Sequence, residues 1–349
     1  MKKPRIAVLF GGCSPEYGVS LASAHSVLTH MDPNRLEPVP VGISPTGDWF
    51  LYRGDIEKIP ADEWNNPGDC VPAALLPRRE NPALLALGAD GGEIIPLDAA
   101  FPILHGRNGE DGTVQGLFEL MGIPVIGCGT LASALCMDKD RAHRLAFAAG
   151  VAIPASFAAD KNIGEAELLA HARGIGYPLF VKPVRAGSSF GITKVVDPHE
   201  LSAAVSLALR YDDRAIVEEA IPGFEVGCAV MGNAALRVGE VDEIELSDGF
   251  FDFEEKYTLK TSAIHVPARI SAEKASEIKE TARLIYRTLG CSGFARVDMF
   301  LEPSGRIVFN EVNTIPGFTA HSRFPGMMKA AGMSFEEVVA RVIELGIRG

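Results

Sequence analysis

A chain of 349 residues is too long for one small core and predicts two or three domains. Hydrophobic residues make up 47% and charged residues only 22%, the balance of a folded globular protein rather than a disordered one. The formal charge of -12 argues against nucleic acid or an anionic membrane as the main partner, although a local basic pocket can still hold a small anion.

The opening "MKKPRIAVLFGG" sets basic residues before an apolar run, but "IAVLF" is too short for the core of a signal peptide. No stretch has the apolar length of a membrane span. The six cysteines are scattered, with no C-x-x-C pair, so neither a zinc site nor a disulfide framework is expected. Reduced thiols and a cytoplasmic location are the expectation. "RIAVLF" reads as a buried parallel strand that runs into the turn "GGCSPE"; "GVSLASAHSVLTHM" has helical spacing and "EPVPVGIS" is a further strand. That is a βαβ opening. The segment from about Arg53 to Gly92, rich in Pro, Gly and Asn, reads as irregular. "DAAFPILHG" is a strand that ends in the polar loop "HGRNGEDGT" before the helix "VQGLFELMG", and a first α/β domain closes near Cys128.

"TLASALCMDKDRAHRLAFAAG" reads as one helix, with Thr130 as N-cap and Gly150 as stop. The strand "YPLFVKP" leads into the loop "VRAGSSFG", and "ITKVV" resumes it. "AIVEEAI", "FEVGCAVM" and "ALRVGEVDEIEL" read as successive strands of a mixed or antiparallel sheet. A long amphipathic helix, "SAEKASEIKETARLIYRTLG", precedes the hairpin "FARVDMFLEPSGRIVFNEVN", and a last helix begins at Ser334. The domains predicted are 1–128 (N-terminal α/β), 129–217 (central) and 218–349 (C-terminal).

The hairpin carries the chemistry. "EPSG" is a turn with Pro at its second position. A tight four-residue turn pairs Leu301 with Arg306, Arg296 with Glu311 and Asp298 with Phe309. Period-two alternation then puts Arg296, Asp298, Glu311 and Asn313 on one face, and a one-residue slip would separate them. The bland alternative is a cross-strand ion pair on a wet face, but the apolar flanks "IVF" and "VDMF" oppose it. Two carboxylates and an amide oxygen under cover suit Mg²⁺ with phosphates completing its shell, and the lack of nearby His or Cys disfavours zinc. Arg296 supplies positive charge for a phosphoryl group in transit. There is no G-x-x-x-x-G-K-[ST], and "FGGCSPEYG" lacks the dinucleotide spacing. Lys182, at the end of "YPLFVKP", and the backbone of "GSSFG" can cradle phosphates instead.

"HGRNGEDGTVQG" and "GFARVDMF…FNEVNTIPG" resemble the two signature stretches of the D-alanine–D-alanine ligases, members of the ATP-grasp superfamily. "FGGCSPE", "MDKDRAHR", "YPLFVKPVRAGSSFG" and "PGFTAHSRFPGM" extend the resemblance over nearly the whole chain, in order. It departs at Phe309, usually Leu or Ile, and at Gly18, where a second glutamate is often found. The resemblance implies an ATP-grasp fold: an α/β protein, α+β in part, with an N-terminal βαβ parallel-sheet domain, a central small domain and a C-terminal mixed or antiparallel sheet. It implies ATP and two Mg²⁺ ions, with Mn²⁺ as a substitute, the metals held by Asp298, Glu311 and Asn313. Lys139, Lys182 and Lys256 would contact phosphates, with the Ser188–Ser189 loop folding over them. Glu218 and Glu225 would take the adenine and ribose sides.

The same resemblance makes Glu16 the anchor of the first substrate's ammonium and sets His105 near the reacting carboxylates. Arg296 and the Gly317 N–H would stabilise the oxyanion. Ser322, with the backbone of Arg323, would bind the second substrate's carboxylate. "FFDFEEKYTLK" resembles a lid, in which Tyr257 closes against Glu16 and Ser188 to exclude water from an acyl phosphate. Tyr257 stands where lactate-using relatives carry histidine, which favours an amine acceptor. The chain looks closest to the vancomycin-resistance ligases that use D-serine, in which positions matching Asp242, Phe251 and Arg323 shape the second site. D-alanine, D-serine and ATP are the expected partners, and a homodimer the expected assembly, since relatives are commonly dimers. The rivals are a housekeeping D-alanine–D-alanine ligase with D-alanine as acceptor, another ATP-grasp carboxylate–amine ligase, a nucleotide-binding regulator without chemistry, and a Rossmann dehydrogenase.

Overall fold

Three sheets organise the chain, in a computed structural model that describes residues 3–88, 91–187, 190–246 and 262–348. The βαβ opening is β1 (Arg5–Gly11), α1 (Tyr17–His30) and β2 (Glu37–Ile43). β1 is flanked in parallel by β2 and by β7 (Ala99–Pro102). Its continuous apolar run suits a strand buried on both faces, and Ile6 through Phe10 are all buried.

The stretch expected to be irregular is so only as far as Asp69, with one 3-10 turn at Ile56–Lys58; beyond it the chain forms strands. After β3 (Trp49–Tyr52) come β4 (Cys70–Leu76), β5 (Ala83–Gly88) and β6 (Gly91–Pro96), an antiparallel meander that extends the sheet to seven strands in the order β6-β5-β4-β3-β2-β1-β7. Pro72, Pro96 and the hairpin glycines hid these strands, because Pro and Gly are tolerated at sheet edges and turns, where local pattern is weakest.

α2 (Thr113–Met121) leads to a second correction. The single helix expected from Thr130 is two, α3 (Thr130–Met137) and α4 (Lys139–Ala148). Asp138 takes an extended conformation between them, and its carboxylate accepts the Arg141 N–H as the cap of α4. A short acid that bonds backbone outside the helix breaks it there. Thr130 is the first helical residue, and Gly129 is the N-cap.

The second sheet, β10-β9-β11-β8, is formed by β8 (Ser156–Asp160), β9 (Leu179–Pro183), β10 (Thr193–Val195) and β11 (Arg214–Glu219). α5 (Glu165–Ile175) and α6 (Leu201–Ala208) pack on it. The third sheet, β14-β13-β12-β15-β16, is antiparallel, and its strands are β12 (Phe224–Gly232), β13 (Leu236–Leu246), β14 (Ser262–His265), β15 (Phe294–Leu301) and β16 (Ile307–Asn313). β11 and β12 therefore belong to different sheets although they read as neighbours. α7 (Ala272–Thr288) is capped by Ser271 and buries Ile278, Ala282, Ile285 and Tyr286, one helical stripe, against this sheet.

Two further helices close the chain: α8 (Arg323–Ala330), which the sequence pattern did not reveal, and α9 (Phe335–Ile347), opened by a capping box between Ser334 and Glu337. Phe101, Phe294, Phe318 and Phe324 form a shared aromatic core between the first and third sheets, with the Phe294 and Phe318 ring centres 5.4 Å apart. This core locks the β16–α8 connection onto the end of β7, and so brings the polar loops of both sheets together.

Candidate active site

The hairpin turn is one residue wider than expected. Gly305, at φ +86°, lets its N–H reach the Glu302 carbonyl, and Leu301 pairs with Ile307 rather than Arg306. By itself that slip would send Glu311 to the core face. A bulge between Asp298 and Met299 on the one side, and Phe309 and Glu311 on the other, absorbs Asn310 and returns Glu311 to the polar face. Asp298 then faces Glu311 and Arg296 faces Asn313, correcting the expected Arg296–Glu311 and Asp298–Phe309 pairs. The four polar residues do share a face, while Met299, Phe309, Val297 and Val312 fill the core beneath.

Asp298 is buried and receives both Arg296 Nε, at 2.8 and 3.0 Å, and Nη2, at 2.7 Å. Asn313 donates to the same carboxylate at 2.9 Å. Burial alone would raise the Asp298 pKa, but the Arg296 and Arg323 guanidinium groups hold it below the usual carboxylate range.

The bulged Asn310 links the hairpin to its neighbours. Its carbonyl lies 2.7 Å from His143 Nε2, and its side-chain oxygen lies 3.4 Å from Lys182 Nζ. Lys182, from β9, is paired with Glu218 of β11 at 2.7 Å, the two residues lying on adjacent strands. Burial works against the charge on Lys182, yet Glu218 outweighs it and the ammonium is held protonated. Lys139, first residue of α4, donates to the Ala186 carbonyl at 2.8 Å and lies 3.4 Å from Glu311 Oε2. Glu218 Oε1 and His143 Nδ1 are 3.6 Å apart, and among the described residues neither has a hydrogen-bond partner.

Arg323 is a second hub. Its guanidinium meets Asp242 at 2.7 and 2.9 Å, Glu225 at 2.7 Å and Asp298 at 3.4 Å. Asp242 has 0% exposure and also accepts the Gly227 N–H at 2.8 Å. Asp242 and the Arg323 side chain thus face each other, with the Asp298 carboxylate 3.4 Å from the guanidinium. Ser322, the N-cap of α8, has its hydroxyl 2.9 Å from Thr319 Oγ1 and makes no cap bond to the helix.

On the first sheet's side, Glu16 caps the start of α1 and is buried between two glycines. A Cβ at Gly106 would come within 2.3 Å of Glu16 Oε2, and one at Gly187 within 2.9 Å. Ser14 Oγ accepts the Glu16 N–H at 3.0 Å and donates to the His105 carbonyl at 2.7 Å. His105 Nδ1 is 2.8 Å from the Ile315 carbonyl and Nε2 is 3.1 Å from Ser23 Oγ, whose hydroxyl oxygen also accepts the Phe318 N–H at 3.2 Å. With Nδ1–H donating and Ser23 donating to Nε2, the ring is neutral, in line with the downward push of burial on its pKa. Gly317 lies in the same loop, beside Ser322.

Glu16, His105, Lys139, Lys182, Glu218, Glu225, Asp242, Arg296, Asp298, Glu311, Asn313, Gly317, Ser322 and Arg323 thus line one region between the three sheets. Ser188, Ser189, Phe251, Lys256 and Tyr257 lie outside the described residues. Sequence reasoning assigned no role to Glu110, His143 or Asn310. His143 stands one helical turn after Lys139, and that spacing was the available signal.

A magnesium–nucleotide pair fits these residues. The carboxylates of Asp298 and Glu311 and the amide of Asn313, on one face, are oxygen donors of the kind a hard cation takes, with room for phosphate oxygens in its shell. The orphan Glu218 Oε1, buried, matches the amino group of a purine.

Residues 5–128 match the family model of the D-ala D-ala ligase N-terminus, and residues 152–344 that of its C-terminus. The solved structure of VanG D-Ala:D-Ser ligase from Enterococcus faecalis is similar at TM-score 0.92 and 54% identity, covering 99% of both chains. The vancomycin/teicoplanin A-type resistance protein VanA of Enterococcus faecium is 46% identical over 100% of both chains. A putative D-alanine–D-lactate ligase of Streptomyces coelicolor is 44% identical over 100% of this chain and 99% of its own.

Proposed function

Because the chain belongs to the D-alanine–D-alanine ligase family, we propose that it uses ATP to join D-alanine to a second D-amino acid, D-serine in preference to D-alanine. The product is a D-Ala-D-X dipeptide for peptidoglycan precursors, made in the cytoplasm by a homodimer. The observation that carries this reading is the shared face of Arg296, Asp298, Glu311 and Asn313, lying between the phosphate-side lysines and the Glu16–His105 loops.

Asp298, Glu311 and Asn313 are the residues that would hold magnesium, which would neutralise phosphate charge. Lys139 and Lys182 are the cations for the phosphates, and Glu218 and Asn310 orient Lys182 toward them. The purine amino group is a donor for Glu218 Oε1. Glu16 holds the ammonium of the first D-alanine, whose carboxylate takes the γ-phosphoryl group to give an acyl phosphate and ADP. The amine of the second substrate attacks that carbonyl, and phosphate leaves the tetrahedral intermediate. Arg296 and the Gly317 N–H face the developing oxyanion, a contribution worth roughly 10²–10³ in rate.

The N-terminus of α8, where Ser322 makes no cap bond, is a seat for the second substrate's carboxylate. Arg323 and Asp242 shape that side from behind. Similarity to the VanG D-Ala:D-Ser ligase supports D-serine. A pocket that fits D-serine discriminates against D-alanine only in so far as it bonds the hydroxyl, and one that fits D-alanine rejects that hydroxyl by only about 10².

The test is phosphate release with ATP, Mg²⁺ and D-alanine, with and without equal D-serine, followed by mass analysis. The mixed dipeptide is expected to dominate. D-Ala-D-Ala as main product would overturn the acceptor, and no D-alanine-containing product would overturn the ligase reading. Glu311→Gln is expected to abolish ADP release with the fold intact.

A further inference from the structure

Glu110 is a buried acid that the mechanism above leaves without a task. Among the described residues it forms no ion pair, Arg296 acting on it only from a distance; its carboxyl accepts the Gly106 N–H at 2.9 Å and the Ile315 N–H at 2.8 Å. Ile315 is also held from its other side, where its carbonyl faces His105 Nδ1 at 2.8 Å. Two side chains of one loop, five residues apart, therefore grip the N–H and the C=O of a single residue. That residue stands between Asn313 and Gly317, over 200 positions away in the chain.

The contacts close a ring. Glu16 is joined through Ser14 to the His105 carbonyl, His105 to Ile315, Ile315 to Glu110, and Glu110 to Gly106, whose Cα lies against the Glu16 carboxylate. A carbonyl oxygen can accept a single N–H as well as a carboxyl can. Here the two N–H groups, from separate loops, meet different oxygens of the one carboxyl, so an amide in its place would set an NH₂ donor against one of them. Burying an acid without a cation costs free energy that a purely structural bond does not require.

We propose that Glu110 is a positioning residue for the ligase reaction: with His105 it clasps Ile315 and so sets the Asn313–Gly317 segment against the Glu16 pocket. This rests on the ligase reading for its kinetic consequence. The clasp itself is a property of the free protein.

Two measurements test it. In the wild-type protein without substrates, hydrogen exchange resolved to single amides is expected to show Ile315 protected at least a hundredfold. Exchange at the rate of an open loop would overturn the clasp whether or not the protein is a ligase. For Glu110→Gln, whose amide NH₂ stands where one of the two N–H groups needs an acceptor, the KM for the first D-alanine is expected to rise about tenfold and kcat per folded molecule to fall by a similar factor. The KM for ATP is expected to stay within twofold. Glu110→Asp, one methylene too short to span both loops, is expected to behave alike. A KM for D-alanine within twofold of wild type in both variants, or a loss explained wholly by less folded protein, would overturn the positioning role.

Discussion

Replacing Arg323 by methionine tests how the site is held together. The side chain is only 8% exposed, and its guanidinium supplies two hydrogen bonds to Asp242 and one to Glu225, with Asp298 at 3.4 Å. Asp242 is fully buried, so Arg323→Met leaves it, among the described residues, with the Gly227 N–H as its donor. Removing one member of a buried pair costs about 3–5 kcal/mol, because the remaining charge is stranded rather than because the pair itself was strong. A loss of that size should appear in urea unfolding as a lower midpoint at unchanged slope. Adding Asp242→Asn to Arg323→Met removes the stranded charge while keeping an acceptor for Gly227, and is expected to restore roughly 1–3 kcal/mol. A single-variant loss under about 1 kcal/mol, or a second substitution that destabilises further, would refute the buried network. Turnover is expected to fall as well, since Asp298 loses one of its two cationic neighbours.

Gly227→Ala attacks the same network from the backbone. Its Cβ would lie 2.4 Å from Arg323 Nη2 and 2.6 Å from Asp242 Oδ1, so a loss of about 3 kcal/mol is expected in the same unfolding assay. Gly174→Ala in α5 meets nothing within 4 Å and should instead gain up to about 1 kcal/mol. Burial, with the nearby Glu16 charge, pushes Glu110 up to about 8 from an ordinary 4.5. Between those values the unfolded chain releases a proton that the folded one keeps, so stability falls as pH rises from about 4.5 to about 8. Denaturation midpoints for wild type and Glu110→Gln across that range check the point, and the variant should lose part of the slope. An unchanged slope would contradict it.

Local chemistry was legible along the chain because its range is short. Period-two alternation marked the β15–β16 ribbon, Ser271 and Ser334 marked helix starts, and the Gly-rich turn after β1 marked the βαβ opening. Motif resemblance then brought in residues that lie far apart. Register was not legible to one residue: the wider turn at Gly305 and the bulge at Asn310 each shift it by one, and the two-residue sum keeps the face while changing every pair. A correct polar face was therefore predicted from incorrect pairs.

Asp138 shows how a single cap interrupts a pattern that looks continuous by hydrophobic spacing alone. The residue types in the sequence determined that this chain holds acids, lysines and a glycine-rich loop suited to phosphate and magnesium. Only the tertiary structure decided which of them meet. Arg323 reaches Asp242 across 81 positions, and Ile315 meets Glu110 across 205, because the aromatic core around Phe318 docks the β16–α8 connection onto the first sheet. Pairings of that kind depend on burial and packing between distant segments, which no local period encodes.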